Sequence, residues 1–142
     1  MSTGGAAIRS AERADVAAVL ALWTHGRSGH ASLPDNAEAV ERLLADRPDA
    51  LLVAEADGAV VGALIAASDG WRGSMYRLTV AAAWRRRGVG RALVQEGERR
   101  LRDRGTPRIT ALVARDDAVA RGFWAAVGYA DDREIGRFVR NA

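Results

Sequence analysis

The stretch from Leu78 to Leu93 limits what this chain can fold into more than any other. It reads LTVAAAWRRRGVGRAL, a strand-like run that breaks into a basic, glycine-bearing turn and then a helix. Gly88 and Gly90 let backbone amides approach an anion with no Cβ in the way. A helix starting at Gly90 directs its unpaired N–H groups and its positive dipole end at the same point. The combination reads as a cradle for a diphosphate. It is not a dinucleotide fingerprint, because Leu93 stands where the third glycine would be, and no Gly-Lys-Ser/Thr follows as in a nucleotide triphosphate loop.

The rest of the chain supplies elements that support such a site. Ala7 to Ser10 is a short strand candidate, and Val16, Val19, Leu20 and Trp23 recur at helical spacing. Gly26 and Gly29 end that helix. Asp35 or Asn36 then caps a second one carrying Val40, Leu43 and Leu44, closed by Pro48. Leu51–Glu55 and Val60–Ile65 flank Asp57-Gly58, a strong hairpin signal, and Ser74–Val80 reads as the next strand. From Gly90 to about Arg104 an amphipathic helix places Leu93, Val94, Gly97 and Leu101 inward, with Glu96, Glu98, Arg99, Arg100 and Arg102 outward. Ile109–Val113 is a short strand. Asp116 or Asp117 caps a last helix bearing Val119, Ala120, Phe123, Trp124 and Val127, Gly128 ends it, and Ile135–Val139 gives a final strand. The order β, α, α, β, β, β, α, β, α, β predicts one mixed α/β domain over residues 7–142, preceded by a loose tail over residues 1–6.

Composition removes several classes of function. The 142 residues contain no cysteine, which excludes disulfides, thiolate catalysis and cysteine-ligated metals, and two histidines, His25 and His30, are too few to predict a metal site. All 21 basic residues are arginine against 18 acids, a net charge of +3, so anion binding has to come from local clustering. Aromatic residues that could stack on bases are missing around Arg85-Arg86-Arg87 apart from Trp84, so no nucleic-acid partner is expected. Neither a signal peptide nor an apolar run of the roughly 20 residues needed to span a membrane is present. A cytoplasmic protein without a membrane partner is the expectation.

With those residues in hand, the chain resembles the GNAT superfamily of acetyltransferases, especially its small bacterial members. The resemblance rests on Leu78-x-Val80 followed by Arg85-x-x-Gly88-x-Gly90 at a strand-to-helix turn, and on Asp117 to Tyr129, which is similar to the family's second motif. It covers most of the chain, from Asp15 to Tyr129. It implies a central, mostly antiparallel sheet splayed at an acyl-CoA site and flanked by about four helices. The co-substrate it implies is acetyl-CoA, with no metal. The amides of Arg86, Gly88, Val89, Gly90 and Arg91 would hold its pyrophosphate, with charge from Arg85, Arg86 and Arg87. Backbone groups of the Leu78-Thr79-Val80 strand would pair with pantetheine, and a bulge there would leave an amide for the thioester carbonyl. Asp117, Phe123 and Trp124 would border the coenzyme from the second motif.

The implied reaction is direct attack by an amine on acetyl-CoA. Trp124 stands where the family often has an acid tyrosine, and an indole N–H does not give up a proton near neutral pH. Trp124, Tyr129 and Tyr76 are the catalytic candidates, with His25, His30 and Glu55 as further candidates for the base. The acceptor is a primary amine of a small molecule, a protein N-terminus or a lysine, and the loops around His25–Pro34 and Asp69–Ser74 would choose it. The alternative is a non-catalytic acyl-CoA-binding or regulatory domain. With room after Gly128 for about one strand, the sheet edge is either left short or completed by a partner chain, so the protein is a monomer or a homodimer.

Overall fold

The computed structural model describes residues 5–26 and 35–141. The start of the predicted tail and most of the His25–Pro34 loop, including His30, lie outside the described residues. Backbone contacts divide the chain into two compact units, Met1–Leu112 and Val113–Ala142.

The first unit is built on a five-stranded sheet. Its strands are β1 (Ala7–Ser10), β2 (Leu51–Ala56), β3 (Ala59–Ser68), β4 (Gly73–Val80) and β5 (Ile109–Ala111), in that spatial order. Neighbours are antiparallel as far as β4, and β5 joins it in parallel. The β2–β3 turn is the predicted hairpin: Asp57 (φ 53°) and Gly58 (φ 76°) are both left-handed, the geometry that a two-residue turn matched to strand twist requires.

Alternation along the strands assigns the two faces. Leu51, Val53, Ala63 and Ile65 pack with Val16, Val19 and Trp23 of α1 (Val16–Gly26) and Val40 of α2 (Ala37–Asp46). Of the two predicted candidates, Asn36 caps α2, accepting from the Ala39 amide at 2.8 Å. Leu64, Ala66 and Met75 meet α3 (Val89–Asp103) on the other face. A Cβ on Gly97 would stand 2.7 Å from Met75 Cε and 3.1 Å from Ala66 Cβ, and one on Gly62 would stand 3.1 Å from both Leu93 and Val89. Two glycines therefore let α3 lie directly on the sheet, and that contact fixes where its N-terminus points.

The structure corrects several details. Helix α3 begins at Val89, with Gly88 as its cap, one residue ahead of the predicted Gly90 start. Glu96 and Arg100 do not face outward into water. Arg100 is 17% exposed, and its guanidinium donates to Glu96 (2.8 Å), Ser10 Oγ (2.7 Å) and the Asp49 carbonyl (2.9 Å), so its long stem crosses the sheet end to reach polar groups. Strand β3 runs on to Ser68, and β5 stops at Ala111.

In the second unit, α4 (Ala118–Ala126) starts where the Asp117 carboxylate accepts from the Ala120 amide at 3.0 Å. It ends in a Schellman arrangement, with Gly128 at φ 100° and the Tyr129 amide bonded to the Trp124 carbonyl at 2.9 Å. Trp124 is buried, whereas Val119 is 85% exposed. Val119 and Trp124 are five positions apart, which turns the two side chains to different sides of the helix. The predicted strand Ile135–Val139 is absent: residues 129–141 form neither helix nor strand, and Ile135, Phe138 and Val139 are exposed. Its branched and aromatic residues suit a strand, yet a strand exists only where a neighbour accepts its ladder, and the sequence names no neighbour.

Candidate active site

Strand β4 carries the site because one of its edges is open. Pairing with β5 ends at Met75 opposite Ala111, where the Leu112 amide donates to the Met75 carbonyl at 3.1 Å. From Tyr76 to Val80 no strand among the described residues lies along that edge. On the other edge the ladder to β3 is interrupted. Ile65 faces Tyr76 and Ala63 faces Thr79, so β4 has one residue more than β3 across this interval. The excess is a bulge at Arg77-Leu78, with Arg77 held at φ 60°.

Beyond the bulge, the Ala81 amide donates to the Val61 carbonyl at 2.8 Å, and Val80 faces Gly62. Antiparallel alternation then turns the peptide groups of Val80, and of Leu78 two residues earlier, towards the open edge. The edge presents donors and acceptors in the spacing of a missing strand. The Arg85 Nε group already uses it, donating to the Val80 carbonyl at 3.2 Å.

The edge leads directly into the turn. After a 3₁₀ turn at Ala82–Trp84 the chain passes through Arg86 (φ 62°) and Gly88 (φ 82°) into α3. A residue with a Cβ disfavours φ 82°, whereas glycine adopts it freely, and the space where a Cβ would sit is empty to 4 Å. No side chain caps α3 and its first turn holds no acid. The amides from Gly88 to Arg91 therefore keep their hydrogen-bonding capacity and the dipole end is uncompensated. Arg85, Arg86, Arg87 and Arg91 are exposed around them and take part in no ion pair among the described residues. Arg87 lies over the Trp84 ring at 4.5 Å, which props up its guanidinium. Open amides, a helix N-terminus and four arginines suit a doubly charged phosphate group.

The structure brings Leu78, Thr79, Val80, Arg85, Arg86, Arg87, Gly88, Val89, Gly90 and Arg91 into one continuous strand-turn-helix run in the first unit. Tyr76, a candidate base, packs against the core shared by α1 and α2. Glu55 is paired with Arg9 at 3.0 Å, and His25 sits in the last turn of α1. In the second unit, Phe123, Trp124 and Tyr129 form an aromatic cluster, with Trp124 edge-on to Phe123 (5.5 Å) and to Tyr129 (5.0 Å). Asp117 in that unit acts as the α4 cap. Among the described residues no group of three or more His, Cys, Asp or Glu could hold a metal ion, and no helix is long and apolar enough to cross a membrane.

Sequence reasoning passed over Arg77, and read Trp23 only as part of an apolar helix face and Asp35 only as a candidate cap. Trp23 Nε1 donates to the Arg77 carbonyl at 3.0 Å, and the Asp35 carboxylate pairs with the Arg77 guanidinium at 2.7 Å. An arginine in a strand reads as a solvent-facing residue, and a bulge has a sequence signal only when glycine occupies it.

Comparison with known proteins agrees with this geometry. The model of the acetyltransferase (GNAT) family matches residues 16–129. An acetyltransferase of Yersinia enterocolitica is 34% identical over 122 residues, 86% of each chain. Among solved structures, Ard1 from Thermoplasma volcanium superposes with a TM-score of 0.77 at 20% identity, over 89% of this chain and 83% of that one. AAC(6')-Iy in complex with the bisubstrate analogue CoA-S-monomethyl-acetylneamine superposes with a TM-score of 0.74 at 18% identity, over 96% and 99%. A strand edge left open, a bulge, an uncapped helix N-terminus and a family match across all of them have one reading: this chain belongs to the GNAT family of N-acetyltransferases.

Proposed function

We propose that the protein transfers the acetyl group of acetyl-CoA to a primary amine, of a small molecule or of a protein N-terminus or lysine, in the cytoplasm. The observation that carries this reading is the continuity of the open Tyr76–Val80 edge with the uncapped start of α3. Pantetheine would lie along the outward peptide groups of Leu78 and Val80 as an added strand. The pyrophosphate would rest on the amides from Arg86 to Arg91, with Arg85, Arg86 and Arg87 adding charge. A complex of a structural neighbour with a CoA-containing bisubstrate analogue supports the same donor.

In the reaction the neutral amine attacks the thioester carbonyl carbon. A C–N bond forms, the C–S bond breaks, and the sulfur leaves as thiolate and takes up a proton. The outward amide at the bulge, that of Leu78, stabilises the charge that develops on the carbonyl oxygen. Trp124 is read from the second motif as lying where relatives often carry an acid tyrosine. It supplies no proton, but a thiolate is a tolerable leaving group without one, with the cysteine thiol pKa of about 8.5 as a guide. The ammonium proton passes to water at the open edge. Phe123 and Asp117 belong to the coenzyme border on the same resemblance.

Calorimetry with acetyl-CoA, joined to a thiol-release screen over an aminoglycoside, a polyamine and an alanine-terminated peptide, tests the proposal. Binding and turnover on at least one amine are expected. Absence of binding refutes the donor site, and binding without release on any amine favours a regulatory acyl-CoA-binding role. Gly88→Glu, which adds a negative charge and a side chain at the amide cradle, should weaken acetyl-CoA binding by at least about a hundredfold while leaving the fold intact by circular dichroism. Unchanged affinity would move the pyrophosphate elsewhere.

A further inference from the structure

Three described non-glycine residues have positive φ: Asp57, Arg77 and Arg86. Asp57 and Arg86 lie in turns, where the chain must reverse. Arg77 alone lies within a strand, and an arginine gains nothing locally from a left-handed backbone. Such a conformation persists only where the surroundings over-determine it, and they do so here from two elements.

The grip is on both the backbone and the side chain of Arg77. Trp23 of α1, itself only 4% exposed, donates its Nε1 proton at 3.0 Å to the carbonyl of Arg77, which has no partner on β3. The guanidinium forms a two-pronged pair with Asp35, just ahead of α2, at 2.7 Å (Nη2 to Oδ1) and 3.1 Å (Nη1 to Oδ2). It also lies 5.7 Å from the centroid of the Trp23 ring. The paired side chains are 28% and 14% exposed, so this is a partly desolvated, geometrically exact-fitting fork rather than a loose surface contact. Arg77 is the first of the two bulged residues, and the amide that follows its carbonyl in the chain is that of Leu78.

We propose that Arg77 is a positioning residue, and that its hold by Asp35 and Trp23 locks the β4 bulge so that the Leu78 amide stands fixed against the carbonyl oxygen of the bound acetyl group. This rests on the donor-site reading above. The side chain touches no substrate. It acts through the backbone, which is why a charged residue facing the helices governs a peptide group on the strand's free edge. Donor alignment matters because a hydrogen bond weakens steeply as its angle falls, and stabilisation of the developing oxyanion requires a donor already in place.

The test reads the carbonyl directly and needs no acceptor amine. Acetyl-CoA labelled with ¹³C at the carbonyl is bound to the wild type and to Arg77→Ala, Asp35→Asn and Arg77→Lys, and the thioester stretch is isolated by isotope-edited infrared spectroscopy. In the wild type the bound band should lie below its position in solution, as a hydrogen-bonded carbonyl does. In Arg77→Ala and Asp35→Asn the band should return towards the solution value, while calorimetric affinity for CoA, which lacks the acetyl group, stays within about twofold because the pyrophosphate cradle is untouched. Arg77→Lys, which keeps the charge and loses the fork, should fall between them. A merely structural ion pair would lower the melting temperature and leave the band where it is. That result overturns the proposal, as does a wild-type band at the solution position. Asp35→Asn keeps the side-chain shape and decides the matter if Arg77→Ala does not fold. Failure of the wild type to bind acetyl-CoA would overturn the donor-site reading and this proposal with it, whereas binding with an unshifted band overturns this proposal alone.

Discussion

Two glycines of the same strand-turn-helix run do opposite work. Gly88 has open space around its missing Cβ and a left-handed backbone, whereas Gly97 sits in regular helix with Met75 and Ala66 pressed against it. Gly88→Ala should therefore cost only the backbone penalty, about 1–2 kcal/mol. Gly97→Val forces branched atoms into the contact between α3 and the sheet and should cost about 1–3 kcal/mol, with a loss of cooperativity as α3 lifts from β3 and β4. Urea denaturation of the two variants checks both. The turn at Gly88 was legible in the sequence because a glycine between a strand and an amphipathic helix marks a change of backbone direction. The role of Gly97 was legible only as an inward position, since the closeness of Met75 Cε depends on how a distant strand lies.

Helix α3 is anchored by an acid-sensitive network. Arg99 and Arg100 hydrogen-bond the Glu96 carboxylate at 2.6–2.8 Å and hold its pKa down from the ordinary 4.5 to about 2. Arg100 carries the connection on to Ser10 of β1 and to the Asp49 carbonyl. The folded state thus binds a proton at Glu96 less readily than the unfolded chain does. The stabilisation is fully present above pH 4.5 and is lost as pH falls towards 2. Asp15 behaves in the same sense, its carboxyl lowered chiefly by its hydrogen bonds from Arg9. Glu96→Gln should lower stability at pH 7 and flatten the acid limb of a urea-midpoint profile between pH 4.5 and 2. An acid limb as steep as that of the wild type would show that Glu96 is not part of it. The spacing of Leu93, Val94, Gly97 and Leu101 made the apolar face of α3 readable. It could not show that Arg100 turns back against the sheet and brings Glu96 with it, because the further partners of Arg100 lie on β1 and in the α2–β2 connection.

Across the whole chain, order is distributed unevenly between the two units. The second unit has one helix and an aromatic cluster, and then residues 129–141, which carry no helix or strand and leave Ile135, Phe138 and Val139 exposed. Backbone without a ladder, on exposed residues, is where a protease gains entry first. Limited trypsin digestion should cut after Arg133, Arg137 or Arg140 before any arginine of α3, as read by intact-mass spectrometry. Early cleavage within α3 would contradict this ordering. Asp131, paired with Arg115, Arg121 and Arg133, marks the point before which cleavage should slow.

Legible in the sequence alone were the order of elements as far as the last helix, the hairpin at Asp57-Gly58, the caps of α2 and α4 to within one residue, and the strand-turn-helix run from Leu78 to Arg91. Each of these is local, set by the spacing of apolar residues, by capping side chains or by glycines at turns. Tertiary structure alone decided that β4 and β5 part after Met75, that Arg77 bulges under the hold of Trp23 and Asp35, that Arg100 reaches across to Ser10, and that Ile135–Val139 does not become a strand. These features depend on hydrogen bonds between residues far apart in the chain. Whether such a partner lies within reach is decided by the packing of the whole unit, and no short window of sequence contains it.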